Sequence, residues 1–210
     1  MKSRIYNQTG QSLIEAIIGI SILVAGVVTA LALGIMTIRS GQISQSRTIA
    51  DNLAREALEQ VRAIRDSNWL ADQNAVEDGN PTWRWDLNLC DDEMTTAKLV
   101  IDPDTFFSSI SWTEESIDQA VVYRVSDPDR SLVYYQQISD ANGGTPPADS
   151  TPTVYRRWIQ IEPQPATNNC VSVAPDLVPD YYVVTATVQW VESGATHTAE
   201  LREDLYNWRP

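Results

Sequence analysis

From Ala16 to Ile38 the chain carries no charge and no proline. At about 1.5 Å per helical residue this run spans roughly 34 Å, against roughly 30 Å for the hydrocarbon core of a bilayer. Its Leu, Ile and Val residues each favour insertion by about 0.3 to 0.6 kcal/mol. The pattern predicts a membrane-spanning helix. From Ser44 to Arg65 the pattern turns amphipathic. Ile49, Leu53, Ala57, Val61 and Ile64 follow one another at helical steps, and Ala50, Ala54 and Leu58 widen the stripe. Arg47, Asp51, Arg55, Glu59 and Arg62 line the other side, several of them as opposite charges at i,i+4. The simplest reading is one long helix, apolar in its first half and backing a globular head with its second. Gly41 is the strongest break between the halves, and Asp66-Ser67-Asn68 ends the pattern.

Period-two runs then take over. Thr82 to Leu89 alternates, with Trp83, Trp85, Leu87 and Leu89 on one face and Arg84, Asp86 and Asn88 opposite. Further candidate strands are Ala97–Ile101, Ala120–Val125, Leu132–Ile138 and Val154–Ile161. Tyr182, Val184, Ala186, Val188 and Trp190 share one face, Glu192-Ser193-Gly194 turns the chain, and Ala195 to Tyr206 returns as a hairpin. Ser139 to Thr153 and Pro163 to Pro179 read as surface loops. The predicted class is α+β: a long N-terminal helix packed on an antiparallel β-sheet head.

Ahead of the apolar run stands Gly10-Gln11-Ser12-Leu13-Ile14-Glu15. Met1 to Gly10 is polar and basic, too short and too polar for the apolar region of a secretory signal. Lys2 and Arg4 favour a cytoplasmic N-terminus, a bias that Arg39 and Arg47 blunt. Glu15 is the odd residue, because a carboxylate within an apolar helix is costly. It is either functional or held at headgroup depth beside the positive end of the helix dipole. Gly19, Gly26 and Gly34 recur near one helical face, as small residues do where membrane helices meet, although glycine is also tolerated in such helices generally.

Gly10 to Ala16 resembles the class III signal of type IV pilins and type II secretion pseudopilins. That family has a short basic leader ending in Gly, a glutamate at the fifth mature position and a long apolar helix. The resemblance covers residues 1–65. It implies that prepilin peptidase cuts between Gly10 and Gln11 and methylates the new amine of Gln11, and that Glu15 serves assembly. Gln11 departs from the commoner Phe or Met. The implied division is 1–10 leader, 11–40 transmembrane helix, 41–66 its amphipathic continuation and 67–210 a β-rich head. Implied partners are the peptidase, other pilin or pseudopilin subunits, an inner-membrane assembly platform, and membrane lipid before assembly. The implied location is the cytoplasmic membrane with the head outside the cytoplasm, then a periplasmic or extracellular filament. With the head outside, Cys90 and Cys170 pair, and the large loop they close stabilises the fold by about 4.5 kcal/mol; the alternative is two buried thiols.

Charge narrows the partners. The net charge is −13, and residues 66–210 hold eight basic against twenty-four acidic side chains. Such a head is unsuited to nucleic acid or anionic lipid. No enzyme is expected: His197 is the only histidine, and no nucleophile turn, phosphate loop or zinc motif occurs. No cofactor is expected either, although Asp91-Asp92-Glu93, Asp102-Pro103-Asp104 and Asp127-Pro128-Asp129 could offer oxygens to Ca²⁺. Seven tryptophans are many for a head of this size, with Trp85 and Trp190 on apolar strand faces. The expected function is a structural subunit, a minor pilin or pseudopilin. The alternative is a signal-anchored surface binding or adhesion protein that is not assembled.

Overall fold

A computed structural model describes residues 9–77, 85–86, 89, 96–101, 108–112, 120–129, 131–137, 146, 149–164 and 179–206. Among these residues one helix, α1 (Thr9–Glu77), precedes seven strands: β1 (Thr96–Ile101), β2 (Ser108–Trp112), β3 (Val121–Asp127), β4 (Leu132–Gln136), β5 (Ser150–Gln164), β6 (Tyr181–Glu192) and β7 (Ala195–Tyr206). Every strand pairing is antiparallel. The chain divides into two compact units, Met1–Ser46 and Arg47–Pro210.

In the first unit α1 is helical without interruption through Gly19, Gly26, Gly34 and Gly41. A single glycine costs a helix only about 1 kcal/mol, too little to break a run this long. Its side chains from Ser12 to Gln45 are exposed. The helix is long and apolar enough to cross a membrane.

The second unit is a helix-on-sheet layer. Ala50, Leu53, Ala54, Ala57, Leu58 and Val61 are buried, and they belong to the same core cluster as Ile159, Ile161, Tyr182, Val184, Ala186, Val188 and Trp190. Each Leu or Val buried there contributes about 1.5–3 kcal/mol. Three alanines on this face, all fully buried, let the helix lie close to the sheet. The long strand β5 organises the sheet. It pairs with β6 from Tyr155 to Gln164, and on its other edge with β3 and then β1. β6 pairs with β7 along twelve positions, closed by the two-residue turn Ser193-Gly194. Both turn residues have positive φ, 53° and 80°, as a hairpin matched to strand twist requires.

Several boundaries differ from the sequence expectation. α1 runs to Glu77, past Asp66-Ser67-Asn68. Ser67 Oγ donates back to the Ala63 carbonyl, and Asn68 Nδ2 donates to the Trp85 carbonyl, so these residues continue the helix and tie it down. Trp85 and Asp86 form a turn rather than strand, closed by the Leu89 N–H donating to the Asp86 carbonyl. Asp86, expected opposite Trp85, is buried with it because the Tyr182 hydroxyl donates to its carboxylate at 2.8 Å. β5 begins at Ser150 and passes through Pro163, which takes part of both expected loops. β2 was not anticipated; its Ser-Ser-Ile-Ser-Trp sequence has too few apolar positions to show a period. Ile138, Trp83, Leu87, Cys90, Cys170, Trp208, Asp91-Asp92-Glu93, Asp102-Pro103-Asp104 and the leader residues 1–8 lie outside the described residues.

Candidate functional site

The candidate site is α1 itself, an apolar surface at one end and a fastened anchor at the other. Gly10 and Gln11 lie in its first turn. Glu15 follows one turn later and is exposed. Leu13, Ile14, Ile17 and Ile18 around it are each more than half exposed. The three hydroxyls within the apolar run are satisfied locally. Ser21 donates to the Ile17 carbonyl, Thr29 to Ala25 and Thr37 to Leu33, at 2.7 to 2.8 Å. No donor is left bare for a lipid environment to penalise. At Gly19, Gly26 and Gly34 nothing approaches within 4 Å of where a Cβ would stand. This length of helix therefore presents a solvent-incompatible surface with one ionisable group at its start.

The anchor is a set of polar contacts spaced along the second half of α1. Arg157, on the helix-facing side of β5, is wholly buried. Its Nη1 donates to the Leu53 carbonyl at 3.3 Å and stands 3.5 Å from Glu56 Oε1; its Nε donates to Gln137 Oε1 at 3.3 Å. Gln137 is buried in turn, and its Nε2 donates to the carbonyls of Ala120 and Arg157. Arg157 Nη2 makes no hydrogen bond. Burial lowers the Arg157 pKa, and the charge of Glu56 opposes that shift. Further along, Arg62 pairs with Glu59 on its own helix, and its Nε donates to Glu203 on β7 at 2.6 Å. The hydrogen bond from Glu203 raises the Arg62 pKa. Last come Asn68 on Trp85 and Trp85 packed edge-on to Tyr182, ring centroids 5.5 Å apart.

The other candidates fall as follows. Trp85 and Trp190 are core residues, 6% and 2% exposed. His197 is half-buried on β7 and stacks on Trp190 with centroids 5.4 Å apart. Of the three acidic clusters only Asp127-Pro128-Asp129 is described. It is the β3–β4 turn, in which the Asp129 N–H donates to Asp127 Oδ1. Among the described residues no group of three or more potential ligands could hold a metal ion. Sequence reasoning missed Arg157. The signal was present, since Arg157 sits in phase with Tyr155, Ile159 and Ile161 on the apolar face of β5.

No protein-family model matches the chain, and no curated protein and no solved structure matches it.

Proposed function

We propose that the chain is a structural subunit of a helical filament of the type IV pilin or type II pseudopilin kind, and a minor subunit rather than the main one. One observation carries this reading. A single helix is apolar and exposed over its first half and is fastened into an antiparallel sheet head over its second. Such a surface needs lipid before assembly and neighbouring helices afterwards. The Gly10-Gln11…Glu15 pattern supplies the processing step: prepilin peptidase would free the Gln11 amine and methylate it. An assembly platform in the inner membrane would then move the subunit from bilayer to filament, with the head in the periplasm or beyond. The large tryptophan-bearing head favours a minor position.

The test is the N-terminus and intact mass of the full chain, purified from cells with an active prepilin peptidase. The expected product begins at N-methylated Gln11. A chain that keeps residues 1–10 beside active peptidase overturns this reading and leaves a signal-anchored surface binding protein.

A further inference from the structure

The polar contacts of α1 set the level of each sheet row along the helix. Leu53 meets Arg157, Arg62 meets Glu203, whose row on β5 is Ile161, and Asn68 reaches Trp85 beside Tyr182, whose row is Pro163. Helix number and β5 number rise together. Arg47 therefore lies toward the Val154 end of the sheet. The β6–β7 turn is at that end, and the β3–β4 turn too, because Val125 pairs with Ser150 and Asp127 with Leu132.

The head's exposed apolar side chains gather there. Leu132, Val133, Val154 and Val191 are 45 to 60% exposed; among the described residues of the head only Leu70 and Tyr206 join them as large exposed apolar groups. Asp129 and Asp149 are also at this end, both exposed, and among the described residues neither carboxylate forms a hydrogen bond or ion pair. The complementary charges are on α1. Between Ala16 and Ala50 the only charged residues are Arg39 and Arg47, both exposed and neither paired among the described residues.

We propose that this end of the head is an interaction surface for a second copy of the chain. The partner copy seats its Arg39–Arg47 stretch against Asp129 and Asp149 and covers Leu132, Val154 and Val191. The acidic groups among those residues disfavour an anionic lipid surface, whereas a second copy brings both arginines and apolar helix. The contact joins two different patches, so each copy offers one of each. This inference rests on the assembly reading above and names its head-side contact.

Lysine chemistry tests it, because Lys2 and Lys98 are the chain's only lysines. Arg47→Lys keeps the charge and places an amine there. Full-length chains carrying it, half of them isotope-labelled, are assembled in membranes with peptidase and joined with a zero-length carbodiimide. The expected result is an interchain link from position 47 to Asp129 or Asp149, lost in Asp129→Asn/Asp149→Asn. Chains that associate without that link overturn the surface and leave assembly standing. So does labelling of Leu132 and Val154 from a photoactivatable lipid in associated chains, which would make lipid the occupant. Chains that never associate overturn the surface, and the N-terminus and intact mass of the same chains then decide the assembly reading separately.

Discussion

Arg157 is the residue on which the head's polar interior turns. A guanidinium taken fully out of water is costly, and here its compensation is incomplete: one long ion pair, two hydrogen bonds and an unpartnered Nη2. Truncating it and replacing it by an apolar side chain of similar length have different consequences. Arg157→Ala leaves Gln137 and the space around it unfilled and should destabilise the full chain in detergent by about 2–5 kcal/mol in denaturant unfolding. Arg157→Met fills the slot without a charge and should be neutral or stabilising. Glu56→Ala, which removes the counter-charge of the buried cation, should cost about 1–3 kcal/mol, less than in a fully buried pair because the Glu56 side chain is 34% exposed. Linkage agrees in sign. The Arg157 pKa is lowered in the folded state, so the unfolded chain holds that proton more tightly. The charged residue subtracts stability at neutral pH, and the penalty lifts only as pH rises through the lowered pKa. Arg62 is the reverse case: its raised pKa marks a contribution present at neutral pH and lost at strongly alkaline pH, when pH passes the folded-state value. That contribution is small because the pair is partly solvated.

At the scale of elements, α1 and the β6–β7 hairpin were legible because their periods are long and clean. The stripe from Ile49 to Ile64 and the Tyr182-to-Trp190 alternation each give many repeats of one rule. What stayed hidden was decided by contacts between distant residues. The end of α1 was misplaced because Ser67 and Asn68, poor helix formers, are held by Ala63 and by Trp85. The Trp85-Asp86 turn looked like strand because Asp86, buried under the Tyr182 hydroxyl, reads in the sequence as the polar half of an alternation. Of the candidate site, the apolar helix and Glu15 could be read directly, whereas the anchor residues could not, since Arg157, Gln137 and Glu203 carry meaning only in the folded sheet. The close helix–sheet approach gives its own test. Ala57 is fully buried, so Ala57→Leu should overpack the layer and destabilise the full chain by about 1–3 kcal/mol, read by the same unfolding measurement.

For the whole molecule the division of labour is electrostatic as well as structural. Residues 11–65 carry five arginines against four carboxylates, while residues 66–210 are strongly acidic. Acidic heads resist non-specific clumping, which leaves α1 to supply attraction. Under the proposed function Glu15 is the one charge inside that attractive surface. In a filament core it would pair with the Gln11 amine of its own or a neighbouring chain. Glu15→Val should therefore leave membrane insertion intact and reduce incorporation into filaments, measured as the ratio of sheared-filament to membrane-bound subunit.

The spacing of the anchor along α1 has a mechanical meaning. Leu53, Arg62 and Asn68 are fastened to the head at three successive levels, with apolar packing between them. A pull along the helix axis would load those fastenings together, in shear, rather than peeling them one after another. The head would thus yield at a much higher tension when dragged by its helix lengthwise than when the helix is lifted sideways from the sheet.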